Sequence, residues 1–202
     1  MNLPETSPEP EQLSPTEEFL RDTGHVWTHR WDGMIVVMGL DLGKDNMEKC
    51  GKWPLKALPD LTSVIVEGEF RCSDNELTSL KGCPKTVTGN FYCYSNKLTS
   101  LEHMPEKIPG RFSCSFNPLK DLTGGPLEVG ETYNCQSCPT LRTLKGAPKI
   151  VPGDFICHEG VLESLEGGPV SVGGDMWLFK NRLRSIEHAP REVGRYFKCH
   201  FN

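Results

Sequence analysis

Nine cysteines in 202 residues are the first place to look for chemistry, because a thiolate can act as a nucleophile, a metal ligand or a disulfide partner. Six of them, Cys72, Cys93, Cys114, Cys135, Cys157 and Cys199, recur at a nearly regular interval. The count is odd, and the first residues lack the basic-then-apolar pattern of a signal peptide. Both features argue against a disulfide framework and predict a cytoplasmic protein. Cys135-Gln-Ser-Cys138 is a lone pair at zinc-ligand spacing, with Cys157-His158 further on. If the latter pair sits on a strand, alternation sends Cys157 inward and His158 outward, so they cannot converge on one ion. No second such pair is present, and no Ser, His and Asp set, phosphate-cradling Gly loop or paired-carboxylate arrangement has an interpretable context. The thiols are expected to be small hydrophobes in a core, with no catalytic residue, metal or cofactor.

The elements that position these residues follow from the interval itself. Sliding the sequence by 21 residues superposes Gly68-Glu-Phe-Arg-Cys72-Ser-Asp-Asn75-Glu-Leu77-Thr-Ser-Leu80 on Gly89-Asn-Phe-Tyr-Cys93-Tyr-Ser-Asn96-Lys-Leu98-Thr-Ser-Leu101. The pattern continues through Phe112, Cys114 and Asn117, then Tyr133 and Cys135 after one inserted residue, Phe155 and Cys157, Met176, Leu178 and Asn181, and ends on Phe197, Cys199 and Asn202. A period of this size marks a solenoid in which each unit buries its apolar side only against its neighbours. Phe91-Tyr92-Cys93-Tyr94 reads as a short strand with Phe91 and Cys93 inside and both tyrosines outside. Asn75, Asn96, Asn117, Asn181 and Asn202 fall where the chain turns and are expected to form a ladder satisfying backbone groups. Pro84, Pro105, Pro126, Pro148, Pro169 and Pro190 disfavour helix in the return arm.

The unit Phe-x-Cys-x-x-Asn-x-Leu-x-x-Leu, with a proline in each arm, resembles the leucine-rich-repeat family, specifically its short bacterial and bacteriophage class. The resemblance covers about residues 66–202, with traces of a degenerate earlier rung at Cys50, Leu55 and Leu58. It implies a leucine-rich-repeat solenoid with a parallel β-sheet on the concave face, extended or 3-10 convex arms and little α-helix. Some bacterial effectors of this class carry a Cys-x-Asp ubiquitin-ligase motif, whose letters Cys72-Ser-Asp74 match. Cys72 holds a core strand position, however, and no chain remains for that catalytic domain. The resemblance therefore implies a non-enzymatic protein-binding scaffold, possible in a phage as an inhibitor of a host or defence protein in the host cytoplasm.

Binding in such a scaffold falls on outward strand positions that the repeat leaves free. The candidates are Tyr92, Tyr94, Asn134, Gln136, Ile156, His158, Trp177, Phe179, Lys198 and His200, with Tyr196 at the margin. Ile156, Trp177 and Phe179 are expected to form an apolar cluster able to anchor a partner protein. The bland alternative puts Trp177 and Phe179 beneath the N-terminal segment. The net charge of −5 resides in the five glutamates of the first twenty residues, so the neutral body offers no basic stripe for nucleic acid. No apolar run is long enough for a membrane span. A solenoid ending at Asn202 without a polar cap is expected to cover its last strand with a partner or a second copy, which gives the alternative of a self-associating assembly protein.

Residues 1–13, rich in Pro and Glu, read as a disordered acidic tail, and residues 14–65 as an N-terminal capping segment. Ser14-Pro15-Thr16-Glu17 has capping-box spacing and predicts a short helical cap through about Thr28. Trp27, Trp31 and the run Met34 to Met38 are expected to close the first rung, or else to form the contact surface themselves.

Overall fold

The computed structural model describes residues 12–202 and is a parallel β-solenoid of about six turns with little helix. The acidic tail expected over residues 1–13 lies outside the described residues except for Gln12 and Leu13. Each coil contributes a two-residue strand to an eight-stranded sheet that runs from Leu40–Asp41 through Phe70–Arg71, Phe91–Tyr92, Phe112–Ser113, Tyr133–Asn134, Phe155–Ile156 and Met176–Trp177 to Phe197–Lys198. Inward side chains of these strands form an aromatic column. The ring centroids are 5.0 Å apart from Phe70 to Phe91, 4.9 Å from Phe112 to Tyr133 and 5.5 Å from Tyr133 to Phe155. The cysteines stack beside them, and Cys72, Cys93, Cys114, Cys135 and Cys157 are free and buried.

The expected asparagine ladder is present, and its bonds explain why the turns are identical. The Asn117 Nδ2 donates to Cys93 O and Cys114 O, both at 3.0 Å, while its Oδ1 accepts from the Leu98 N–H. Asn96 does the same one coil earlier and Asn181 further along. In the coil with the inserted residue Cys138 replaces asparagine, its thiol reaching Cys114 O at 3.7 Å, and in the next coil Gly160 does.

The return arms are extended apart from a tight turn closed by a bond to the third residue back, as from the Cys83 N–H to Leu80 O and the Ala147 N–H to Leu144 O, with no longer 3-10 helix among the described residues. They carry a second set of short parallel strands, split into sheets of four, two and three. Two prolines account for both breaks. The residue after each of these strands normally donates its N–H to the preceding coil, as Thr88 does to Val66 O, Gly130 to Ile108 O and Gly173 to Val151 O. Pro109 and Pro152 occupy that position in the other two coils and have no N–H, so the ladder stops at each. Close coil contact also requires Gly130, where an added Cβ would lie 1.7 Å from Pro109 O.

The stacking begins earlier than the sequence repeat. Ile35–Val37 pairs in parallel with Val64–Val66, and Leu40–Asp41 with Phe70–Arg71, so Leu40 and Leu42 take the places of Phe and Cys. Leu55 belongs to this rung as expected, since its N–H donates to Asn75 Oδ1. Cys50 does not supply its strand; it ends the helix Lys44–Lys49, which stands in the turn.

The N-terminal helix is shorter than its sequence suggests. It spans Pro15–Asp22 with the reciprocal Ser14–Glu17 capping box, and the chain then re-enters a sheet as Trp27–His29, antiparallel to Ile35–Val37. Pairing with an exposed apolar strand edge outweighs another helical turn, because Gly24 takes φ +76° and ends the helix. Trp27 packs on the core, whereas Trp31 at the hairpin tip is 94 % exposed and caps nothing.

Candidate functional site

Strand register, rather than any loop, aligns the candidate residues. Arg71, Tyr92, Ser113, Asn134, Ile156, Trp177 and Lys198 are successive partners in the eight-stranded sheet and form one outward column. Two residues on, backbone bonds such as Ser95 N–H to Ser115 O and Glu159 N–H to Phe179 O carry the same register into a second column. It contains Ser73, Tyr94, Ser115, Gln136, His158, Phe179 and His200. Neither column holds a carboxylate from Arg71 to His200, although the whole chain is acidic.

The candidates separate into two groups. In the first, the His158 and Phe179 rings stack at 4.3 Å and 10°, and Phe179 and His200 stack at 5.1 Å and 8°. Trp177 lies 6.1 Å from both His158 and Phe179. The Lys198 ammonium sits over the Trp177 ring at 4.4 Å and over Tyr196 at 5.2 Å, so Tyr196 flanks the cluster as expected. Burial holds the His158 imidazole below its usual pKa, Glu159 only partly opposing it. Its Nδ1 and the Trp177 Nε1 are shielded yet lack a hydrogen-bond partner. The indole N–H leans toward Asp175, whose carboxyl is held below its usual range first by the Tyr196 N–H and then by this dipole and nearby cations. The described part of the N-terminal segment does not cover the cluster; it packs at the other end of the stack, where Thr16 bonds Asp60 O and Leu20 is buried.

The second group lines a recess of 380 Å³ formed by Tyr92, Tyr94, Ser113, Ser115, Asn134 and Ile156, with Arg111 and Phe116 at its rim. Tyr92 and Tyr94 form one wall, their rings 6.3 Å apart at 58°. Ser113 and Ser115 are buried although they face outward, because their small side chains lie between larger neighbours, and their hydroxyls bond each other at 3.1 Å. Gln136 stands in the His158 column, outside this lining. Arg71 was not among the candidates, yet it fixes the tyrosine wall by donating to Tyr94 Oη at 2.7 Å and lying over the same ring. Its position one coil before Tyr92 in the repeat was the available signal.

Most of the buried thiols are held protonated. Burial pushes Cys83 and Cys138 up to about 12 and Cys72, Cys114 and Cys135 well above the ordinary thiol range. Cys157 points inward and His158 outward, and among the described residues no three His, Cys, Asp or Glu side chains are grouped to hold a metal ion. No helix among them is long and apolar enough to cross a membrane. Compared with known proteins, the chain matches no family model, no curated protein and no solved structure.

Proposed function

We propose that this chain is a non-enzymatic protein-binding scaffold of the leucine-rich-repeat type, whose concave sheet face grips a partner protein through His158, Trp177, Phe179, Lys198 and His200. The observation that carries this reading is the continuous ring stack on three successive strands, with two shielded ring nitrogens left without partners. Aromatic anchors beside a cation are enriched in binding hot spots, and shielded ring nitrogens without a partner gain when a bound protein supplies the complementary group. Tyr92 and Tyr94 provide a secondary contact. Thiols held protonated by burial support a role without nucleophilic catalysis. On the family resemblance, the setting is bacterial or phage, in the host cytoplasm, where such a scaffold inhibits a host protein by occupying its surface.

The test is affinity capture from host cells, followed by binding measurements with the captured protein. Trp177→Ala combined with Phe179→Ala, in a protein that keeps its circular dichroism spectrum, is expected to weaken binding at least about 30-fold, the loss of roughly 2 kcal/mol that defines a hot spot. Unchanged affinity removes these rungs from the site. A second reading, an assembly protein that self-associates, draws on the nearly complete exposure of Trp31.

A further inference from the structure

The largest unsatisfied apolar group among the described residues is Trp31, 94 % exposed at the tip of the hairpin between Trp27–His29 and Ile35–Val37. The tip is rigid. Arg30 pairs with Asp32 through two nitrogens, one at 2.9 Å, and this guanidinium holds the Asp32 carboxyl down to about 2. The Gly33 N–H closes the turn onto Arg30 O, and the Met34 N–H onto Asp32 Oδ1. The indole is thus presented with little conformational freedom to lose on burial.

The N-terminal part of the sequence that carries Trp31 is acidic in composition, unlike the outward columns that line the recess. Residues 1–38 carry seven acidic side chains against two basic ones, which equals the net charge of the whole chain. From Arg71 to His200 the outward columns of the sheet carry no carboxylate, and Arg71 and Lys198 stand in them; Arg111 at the recess rim is paired with Glu131. The recess volume of 380 Å³ lies at the lower end of the range, about 300–1,000 Å³, that encloses a ring-sized ligand. Tyr92 and Tyr94 offer ring faces to an indole, and Ser113, Ser115 and Asn134 offer acceptors for its N–H.

We propose that Trp31 of one molecule docks into the Tyr92–Ser113–Asn134–Ile156 recess of a second copy, giving a head-to-tail contact. Each head-to-tail contact uses one plug and one socket and leaves the other plug and socket of the pair free, so the interface is heterologous and extends into open oligomers. A single aromatic anchor buries about 150–250 Å², far below the ~1,200 Å² of a stable complex, so the association is weak and concentration-dependent. The contact leaves the His158–Phe179–His200 stack free for a different protein and competes with it only at the secondary contact on Tyr92 and Tyr94.

Sedimentation of the full chain from about 20 μM to about 1 mM, the affinity range for one anchor, tests it. The wild type is expected to show rising average mass, suppressed by added salt because the acidic N-terminal part and the outward columns differ in charge. Trp31→Ala destroys the plug, and Asn134→Glu places a carboxylate in the socket; each variant alone is expected to stay monomeric. Mixed, they are expected to form a one-to-one dimer that cannot extend, since each retains the half the other lacks. Tyr92→Ala repeats the socket arm should Asn134→Glu perturb folding, and Ile150→Ala, at an exposed position on a return arm, is expected to associate like the wild type. A wild type that stays monomeric throughout, association surviving Trp31→Ala, or a mixture that stays monomeric overturns the proposal.

Discussion

At the scale of single residues, the solenoid rests on polar groups that its own repetition satisfies. Asn117 is fully buried and makes four hydrogen bonds, three from Nδ2 and one to Oδ1, so Asn117→Ala leaves several backbone groups unpaired. A loss of about 2–4 kcal/mol in urea unfolding is expected, more than for the exposed Asn202→Ala. Tyr133 shows the reverse. It replaces phenylalanine in the aromatic column, and its buried hydroxyl has no partner. The hydroxyl fits because Gly125 leaves room; a Cβ there would lie 3.3 Å from it. Tyr133→Phe is therefore expected to be neutral or to stabilise by up to about 1 kcal/mol, while Gly125→Ala destabilises with or without the hydroxyl, because its Cβ would also lie 2.9 Å from Leu122 O and 3.0 Å from Leu101 Cδ1. The asparagines and inward cysteines were legible in the sequence because period 21 repeats them. Tyr133 and Gly125 were not, since their complementarity joins positions in different parts of the coil.

At the scale of elements, the sequence discloses what repeats and conceals what substitutes. The sheet, its register and the extended arms follow from the period, whereas the first rung escapes because Leu40 and Leu42 replace the Phe and Cys that identify the others. Both sheet breaks were visible as Pro109 and Pro152, but only the hydrogen-bond pattern gives those positions meaning. The outward columns were likewise legible from alternation, while their division into a stack and a recess depends on side-chain packing. The capping segment is joined to the first rung through His25, whose Nε2 accepts from the Asp41 N–H while Nδ1 meets Thr23 Oγ1 at 2.9 Å. Accepting at Nε2 requires the neutral ring, and burial holds its pKa below 6.5, outweighing the Asp41 charge. The unfolded chain therefore binds the proton more readily. This contribution to stability is present above pH about 6.5 and lost as pH falls through the lowered value. Melting temperature is expected to drop between pH about 7.5 and 5.5, and to drop less in His25→Asn. Equal slopes in the two proteins would show that the junction does not titrate. His158, also depressed by burial, adds an effect of the same sign, removable by His158→Gln.

At the scale of the whole molecule, each coil touches only its neighbours, so stability is a sum of coil terms and nearest-neighbour terms, and the weakest interface sets where the stack opens. That interface is in the middle. The asparagine ladder runs through Asn75, Asn96 and Asn117, is interrupted at Cys138 and Gly160, and resumes at Asn181. At Cys138 a single long thiol contact replaces the amide, and because Gly160 has no side chain the Leu141 N–H turns instead to Cys138 O at 3.3 Å. The second strand ladder is broken between the same coils by Pro152. Two independent weaknesses at one place predict that amides in residues 133–160 exchange faster than those in residues 91–117, although both segments are interior and buried. The two interruptions differ in what can repair them. An asparagine at 160 would put its Cβ 2.9 Å from Asn181 Oδ1, whereas position 138 already directs its side chain at the correct carbonyl. Cys138→Asn is therefore expected to restore one rung, slow exchange across residues 133–141 and stabilise the chain by about 1 kcal/mol, the net value of a recovered hydrogen bond. Gly160→Asn is expected to destabilise it. If both substitutions lower stability equally, the central coils are held by apolar packing alone, and the solenoid opens first at its ends.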